Sequence, residues 1–472
     1  MKWLKRLLFV VVCLVTLYGL FVAVENWRGK HGWDTYQRER EAKGDSFDWK
    51  SITPPPVLDA ENFAMTPLLA ELFPKPPQHP RLDALRLPDA QGAAGNRYLG
   101  RVEDLAVWKK CFTNDDLLAA LKIYEPMMKE ISEALQQRPK CRFPVRYEDH
   151  VNALLPHLSP LRNVSRVYRL RALAELSAGQ TDAAFEDVRL NLRLADTLKD
   201  EPTLISYLVN SSMLEMSVQC VWEGLAAHHW NDRQLASLQV DFANADRLAV
   251  FAHAMRGERL FGYSACRWLI SKPKERLSAM ESAGVQRNGL QQTLWLVIRL
   301  VPTGWWYQNL LTLDRFHTET YWPPIDLEHR RINSQRVRQN DNKLATMSRS
   351  PFNFLLGLLA PAVNQIFKKA GQAQTIADEA AVACALERYR LAKGEYPENL
   401  AALVPEFLAK IPTDVIDGKP LRYRRDAADK FTLWSVGWNE IDDGGKVELD
   451  NSKPPRPDFD KGDWVWQSWA TP

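Results

Sequence analysis

The hydrophobic pattern of the chain opens with one long apolar run and then changes to a helical period. The run extends from Leu7 to Val24. Its eighteen residues, at a helical rise of about 1.5 Å each, cover roughly 27 Å, which is close to the hydrocarbon thickness of a bilayer. A cleavable signal peptide has a shorter apolar core and small residues at its cleavage site, whereas this run ends Ala23-Val24-Glu25. The pattern predicts an uncleaved transmembrane anchor in residues 1–24.

Basic residues lie on both sides of this span, so their number alone does not orient it. Those on the N-terminal side directly abut the span, and a long domain after the span can cross the membrane largely regardless of its charge. Both considerations favour a cytoplasmic N-terminus and a single pass. The basic residues concerned are Lys2, Lys5 and Arg6 before the span and Arg28, Lys30, Arg38, Arg40 and Lys43 after it.

The region that follows the anchor, residues 25–113, predicts a stalk and then a connector. Glu25 to Lys50 is charged and aromatic with few helix breakers, which indicates a helical stalk that continues the anchor until Pro54-Pro55-Pro56 ends it. Prolines up to Pro88 and a turn cluster from Gly92 to Gly95 then disfavour long regular elements. We expect this connector to lie extended on the surface.

Residues 114–369 predict a helical domain, because apolar residues recur there every three or four positions. The clearest unit is a hairpin with helices through Val167–Leu176 and Ala184–Ala195, joined by a turn at Gly179-Gln180. A further helix opens after Glu201-Pro202. The hairpin resembles a tetratricopeptide (TPR) unit, but a solenoid needs several stacked copies to bury its faces. We therefore expect a helical body with TPR-like pieces.

Residues 370–472 change to a mixed pattern that predicts a small α+β domain. Thr375 and Asp378 can cap a helix with one apolar face, and an earlier start of this helix is the alternative. Gly394 followed by Tyr396-Pro397 ends it. One helix across a small antiparallel sheet is the compact solution. The chain is thus predicted to be mainly α, with a transmembrane helix, a helical body and this terminal domain. The remaining expected elements are a short helix over Leu400–Leu408 and strands over Leu421–Arg424 and Phe431–Val436.

Three motifs in this last region resemble a known module. They read Ala-Leu-Glu-Arg-Tyr-Arg-Leu-Ala-Lys-Gly-Glu-Tyr-Pro, Ile-Asp-Gly-Lys-Pro-Leu-Arg-Tyr-Arg and Leu-Trp-Ser-Val-Gly-Trp-Asn-Glu-Ile-Asp-Asp-Gly-Gly. In this order they resemble the C-terminal domain of bacterial type II secretion pseudopilins such as the major pseudopilin. They resemble more closely the pseudopilin-like module of membrane proteins from planctomycetes and verrucomicrobia. The resemblance implies a protein of the bacterial inner membrane with its bulk in the periplasm.

The chain also departs from the pseudopilins in one respect. Those proteins begin with a processed leader of the Gly-Phe-Thr-Leu-x-Glu type and continue their membrane helix directly into this domain. Here the leader motif is lacking and a long helical region intervenes. The resemblance therefore implies a shared domain and not assembly into a pseudopilus.

The resemblance also implies a calcium loop, because the corresponding acidic loop of major pseudopilins binds that ion. The residues at these positions are Asn439, Asp442, Asp443 and Asp450, whose oxygens are the hard ligands that Ca²⁺ prefers. The alternative is a solvated acidic turn in which Asp and Gly are chosen for backbone geometry. Calcium is the only cofactor that the sequence suggests.

Charge and cysteine content exclude several classes of function. The 61 basic and 58 acidic side chains nearly cancel, so no global field favours nucleic acid. The six cysteines show no CxxC or CxxH spacing, which argues against zinc and redox sites. Cys111 with Cys141 is the one disulfide pair worth considering, and buried free thiols are the default.

Tryptophan is the outlier of the composition, with 17 residues. Most of them are expected in the core, since Trp buries a large apolar body. The alternative function rests on those near the C-terminus, because Trp464, Trp466 and Trp469 on one exposed face would suit a carbohydrate or another envelope polymer.

No familiar catalytic motif is present, neither GxSxG, HExxH, a phosphate loop nor GxGxxG after a strand. The adjacent His228 and His229 are interpreted as helix-end residues. A hydrolase of unrecognised type would require His317 or His329 to converge with acids in a pocket. The acids considered are Asp314, Asp326 and Glu328, whereas Asp458, Asp460 and Asp463 near the C-terminus are interpreted as solvated.

The sequence thus predicts a membrane-anchored periplasmic protein that acts through protein contacts in the bacterial envelope. The expected partners are the inner membrane, through residues 7–24, and other envelope proteins. Polymer binding and hydrolysis are the alternatives.

Overall fold

The computed structural model describes residues 2–73, 114–273, 275–276, 301–347, 350–453 and 455–466, and these are mainly helical. Predictions that concern Pro74 to Pro88, Cys111 and Trp469 lie outside the described residues. The helices are α1 (Lys2–Ala42), α2 (Pro67–Ala70), α3 (Asn114–Leu121), α4 (Glu125–Gln137), α5 (Leu158–Ser177), α6 (Thr181–Asp196), α7 (Leu204–Ala226), α8 (Asp232–Ala243), α9 (Arg247–Ser271), α10 (Thr303–Phe316), α11 (Ser334–Thr346) and α12 (Phe354–Lys393).

Shorter elements connect these helices or follow them. The strands are β1 (Ile325–Asp326), β2 (Arg331–Ile332), β3 (Arg422–Ala427), β4 (Lys430–Ser435), β5 (Val447–Leu449), β6 (Pro457–Gly462) and β7 (Trp464–Val465). A π-helical turn, His317–Tyr321, extends α10. Tight 3₁₀ turns occur at Trp49–Ser51, Phe63–Met65, Lys122–Tyr124, Tyr147–Asn152 and Leu400–Leu403.

Helix α1 carries the apolar run and continues well beyond it. Of the helices searched within the described residues, this one is long and apolar enough to cross a membrane, and its apolar window is not buried by any other part of the chain. The prediction that Pro54-Pro55-Pro56 ends this helix is wrong, because α1 ends at Ala42. Gly44 adopts φ +90° and its N–H donates to Glu41, which is the left-handed arrangement that commonly closes a helix.

The second half of α1 is helical as predicted, but it packs against the body. Trp33 and Tyr36 are buried against α9 and α10. Helix α10 runs alongside α1 in the same direction, since Gly29 contacts Gly304 and Tyr36 contacts Asp314. The stalk is therefore part of the folded body and not a spacer.

The two glycines allow the α1 and α10 backbones to touch. A Cβ atom on Gly304 would lie 1.9 Å from the carbonyl oxygen of Glu25, and one on Gly29 would lie 2.0 Å from that of Gly304. Real Cβ atoms never approach so closely, so neither position tolerates a side chain without movement of the backbone.

The predicted helical hairpin is confirmed by α5 and α6, which are joined at Gly179 with φ +72°. Helix α7 follows Pro202 as expected. The expectation of an extended surface connector is wrong for its described part. Phe63, Leu68 and Leu72 are buried with residues of α4, α5 and α6 because this segment covers the apolar face of the hairpin.

Helix α12 runs through the predicted domain boundary at residues 369 and 370. It begins after Asn353, so of the two predicted starts the earlier one is confirmed. Thr375 and Asp378 do not cap the helix and are buried along its length. The predicted end is confirmed, since Gly394 follows the helix with φ +90°. The expected single apolar face is also wrong, because residues 373–386 are buried on all sides by the helical body and the C-terminal sheet.

The C-terminal sheet confirms the predicted antiparallel pair. Strands β3 and β4 pair with Arg422 opposite Trp434, and β7 adds to β4 with Val465 opposite Trp434. Strands β5 and β6 form a separate antiparallel ribbon. The expected helix over Leu400–Leu408 is only a 3₁₀ turn, Leu400–Leu403. Side chains of the sheet share one core with α7, α8 and α12.

The glycine contact yields the first prediction. We expect Gly304→Ala to lower the free energy of unfolding by at least about 2 kcal/mol, because an added methyl group would force α1 and α10 apart. Thermal unfolding of the full chain in detergent micelles measures this effect. Gly19→Ala is the matched control, since a Cβ there meets nothing within 4 Å. Equal stability of the two variants would contradict the proposed backbone contact.

Candidate functional site

A cleft of about 400 Å³ lies where α1 ends and is the strongest candidate for a functional site in the described residues. Three parts of the chain form it. They are the end of α1 with the loop after it, the middle of α9, and the π-helical turn. The lining residues are Arg40, Gly44, Asp45, Ser46, Ser51, Ile52, Arg256, Arg259, Leu260, His317, Thr318 and Trp322. A π-helical turn is rare and often occurs at functional sites.

Most charged groups of this cleft are paired with acids or bases of the fold, whereas Arg256 stacks on the Trp322 ring. The Arg259 guanidinium donates to Asp314 over 2.8 and 3.0 Å and contacts Asp45 at 2.9 Å. Arg40 donates to Asp45 over 2.6 Å, and the Tyr36 hydroxyl donates to Asp314 over 2.9 Å. Asp314 is 3% exposed. Its charge-assisted hydrogen bonds with Tyr36 and Arg259 fix α1, α9 and α10 relative to one another.

His317 lies on the cleft wall, but its ring is 7% exposed. Burial lowers the pKa of His317 from 6.5 to about 4, although the Asp314 charge and a hydrogen bond with the Met255 backbone oppose this. The ring is therefore neutral near pH 7. Its Nε2 atom has no hydrogen-bond partner within the described part of the chain. Because the Asp314 carboxylate is engaged by Arg259 and Tyr36, the two residues do not form an acid–base dyad.

The other predicted hydrolase residues lie elsewhere. His329 contacts Asp326 at 2.9 Å on the exposed turn between β1 and β2, and Glu328 is exposed beside them. None of these three lines the cleft. The convergence of His317 or His329 with these acids in a pocket is thus not seen.

The predicted calcium residues divide between two turns. Asn439 donates to Asp443 over 3.4 Å, and Asp442 accepts from the Trp434 indole over 3.0 Å and from the Gly444 backbone over 3.1 Å. Asp450 belongs to a different turn, in which it accepts from Ser452 and Arg456. Within the described residues, no group of three or more His, Cys, Asp or Glu side chains is placed to hold a metal ion. Calcium binding stays a prediction.

One acid of this region was interpreted incorrectly from the sequence. Asp463 is 3% exposed and accepts from the Gly445 backbone over 2.7 Å and from the Asp443 backbone over 3.3 Å. The Asp463 carboxylate therefore fixes the backbone of the acidic loop by hydrogen bonds, and this side chain is not solvated. Asp460 is exposed as expected and contacts Lys368 at 2.7 Å. With Asn439 it lines a second cleft of about 340 Å³.

The tryptophans considered for polymer binding are buried where the structure describes them. Trp464 is 0% exposed and Trp466 is 2% exposed. Trp464 packs against Trp438 and against Gly371 of α12, and Trp466 belongs to the core that α8 and the sheet share. Neither can stack on a polymer at the surface.

A buried acid that the sequence did not single out connects the two predicted domains. Glu387 of α12 is 1% exposed and accepts from Arg390 over 2.7 Å and from the Tyr396 hydroxyl over 2.6 Å. It also contacts His228 at 2.9 Å. His228 and His229 follow the end of α7 at Ala226, which confirms their placement at a helix end. The sequence gives little indication of this burial, because Glu387 lies in a helix where a glutamate is usually solvent-exposed.

Comparisons with known proteins leave this chain without an assigned relative. No family model matches it, and neither does any curated protein or solved structure.

The burial of His317 predicts a pH dependence of stability. The unfolded chain takes up a proton near pH 6.5, whereas the folded chain takes it up only near pH 4, so protonation favours unfolding as the pH falls through this window. We expect His317→Asn to remove up to roughly 3 kcal/mol of this dependence. Denaturant unfolding between pH 7 and pH 4 measures it. His229→Asn, at an exposed position, is the matched control. A His317→Asn profile identical to that of wild type would contradict the buried neutral ring.

The Glu387 contacts predict a second effect on stability. We expect Glu387→Gln to cost about 2 kcal/mol near neutral pH, because Arg390 and Tyr396 would lose their charge-assisted hydrogen bonds to the carboxylate. Burial alone would raise the pKa of Glu387, but the hydrogen bonds from Arg390, Tyr396 and His228 outweigh it and lower the pKa below 4.5.

The lowered pKa fixes the pH range of that effect. The stabilisation is present above pH 4.5 and is lost as the pH falls through the folded pKa, so the difference between wild type and Glu387→Gln should shrink in acid. Denaturant unfolding as a function of pH measures this difference. Glu398→Gln is the control, because that side chain is 73% exposed. A difference that stays constant with pH would argue against a charged Glu387.

Proposed function

We propose that this protein is a single-pass protein of the bacterial inner membrane whose body lies in the periplasm and acts through contacts with other envelope proteins. The observation that carries the proposal is the continuity of α1. Its exposed apolar half is long enough to span a bilayer, and its second half is built into the body. No hinge separates the two halves, since α1 is one helix from Lys2 to Ala42.

The chemistry of the clefts supports a role in binding more than in catalysis. Asp314, Arg259 and Asp45 satisfy one another in the first cleft. In the second cleft Lys368 pairs with Asp460, and Asn364 donates to Asp341 over 2.5 Å. These charged groups are engaged with one another, so they stabilise contacts between parts of the fold.

The C-terminal region supports the envelope assignment through its pattern of elements. The end of α12, the β3–β4 hairpin and the acidic loop at Asp442 occur in the order that the pseudopilin-like motifs imply. We propose that this region is a pseudopilin-like module used for protein contacts, with calcium in the acidic loop as a further expectation. Since the module shares its core with α7 and α8, it would act together with the helical body.

Crosslinking in intact cells, followed by purification of the tagged full chain and mass spectrometry, tests this function. We expect reproducible enrichment of envelope-assembly proteins relative to an unrelated single-pass protein with the same tag. External protease on spheroplasts should digest the body and leave an N-terminal tag intact. Recovery of the protein alone would contradict the scaffold role, and protection of the body from protease would contradict the orientation.

A further inference from the structure

The body contacts α1 at a level that lies inside the predicted membrane span. The rings of Phe21 and Trp305 are perpendicular, with centroids 6.2 Å apart. Phe21 lies three residues before Val24, which is the end of the apolar run, and three residues of helix rise about 4.5 Å. Trp305, at the start of α10, is therefore within about one helical turn of the hydrocarbon boundary.

Two aromatic side chains of the body, Trp305 and Phe352, lie beside α1 at this level. Together with Trp27 of α1 itself we name them the collar. Trp305 and Phe352 pack edge to face with centroids 5.3 Å apart, and both are half-buried. Trp27 is 68% exposed, whereas Trp33, further along the same helix, is buried in the body. Tryptophan is enriched where membrane proteins leave the hydrocarbon, because its ring is apolar and its N–H is polar.

The polar groups at the collar are satisfied by the body itself. The Glu25 carboxylate accepts from the Trp305 indole over 2.8 Å and from Arg28 over 3.0 Å. Asn26 accepts from the Gly304 backbone over 2.8 Å, which satisfies an N–H at the start of α10. A lone carboxylate beside hydrocarbon is costly, and this arrangement removes that cost.

The body has no freedom to move away from this position. Gly29 and Gly304 are in backbone contact only one turn beyond Glu25. Any insertion of α1 to the end of its apolar run therefore brings the start of α10 to the bilayer surface as well.

We propose that the body rests on the bilayer, with Trp305 and Phe352 placed in the interfacial layer of lipid around α1. Lipid is the partner of this surface, because the collar is continuous with the apolar face of the span. The inference rests on the proposed function in so far as α1 must be a membrane anchor. It adds a second and separate contact between the protein and the membrane.

Photocrosslinking to lipid tests the contact in the full chain. A photoreactive phenylalanine derivative is placed at position 305 or 352, the protein is reconstituted in vesicles of phosphatidylethanolamine and phosphatidylglycerol, and lipid adducts are measured by mass spectrometry. Position 14 in the span is the positive control, since Leu14 is 60% exposed. Phe352 keeps an aromatic ring in this variant, so it carries the test if the variant at position 305 does not fold.

The negative control is an exposed apolar residue far from the span. Ile205 is 60% exposed, and its neighbour Pro202 contacts Gly257 of α9, near the Arg259–Asp314 pair. Asp314 bonds Tyr36, which lies twelve residues, or roughly 18 Å of helix, beyond Val24. This places Ile205 well outside the interfacial layer.

The outcomes separate this inference from the proposed function. Lipid adducts at positions 14, 305 and 352, with none at position 205, are the expected result. Adducts at position 14 without any at 305 and 352 would overturn the interfacial contact and leave the anchor intact. Absence of adducts at position 14 would overturn the anchor and this inference together.

Discussion

The backbone contact between Gly29 and Gly304 sets the position of the body relative to the membrane helix. Because neither residue has a side chain, α1 and α10 approach until their backbones touch. This brings Trp33 and Tyr36 into the core and places Tyr36 within hydrogen-bond distance of Asp314. Close helix contacts through small residues are typical of helices that must hold a fixed position in or near a membrane.

Helix α12 sets the position of the C-terminal sheet relative to the helical body, because both pack against it. Its buried surface is rich in alanine, as at Ala377, Ala381 and Ala385, so α8 and the sheet can pack on it from different sides. The charge of Glu387 is tolerated there because Arg390 and Tyr396 satisfy it. Two regions with different sequence patterns are thus stabilised by one helix.

Charged groups at the first cleft are likewise paired within the fold. Arg259 connects α9 to Asp314 of α10 and to Asp45 in the loop after α1, so all three of its guanidinium nitrogens contact acids of the fold. The charges named here are therefore used in contacts within the fold. This is why the proposed function relies on surfaces and on the membrane rather than on the chemistry of the cleft.

Local patterns in the sequence were sufficient for the elements whose causes are local. The apolar run before Glu25, the turn at Gly179, the helix end at Gly394 and the pairing of β3 with β4 each depend on a few neighbouring residues. Helical period, strand alternation and the tolerance of glycine for positive φ express themselves within such short segments. The possible span and the helical class of the chain followed from the same reasoning.

Only the tertiary structure decided what covers each element. The sequence shows that α1 continues past the span, but not that Gly29 meets Gly304, since those residues are distant in the chain. It suggested a cap at Thr375 and a solvated Asp463, whereas packing from both sides buries these polar groups and satisfies the Asp463 carboxylate. The physical reason is that a sequence pattern reports which side chains prefer burial, while the partner that buries them comes from a distant part of the chain.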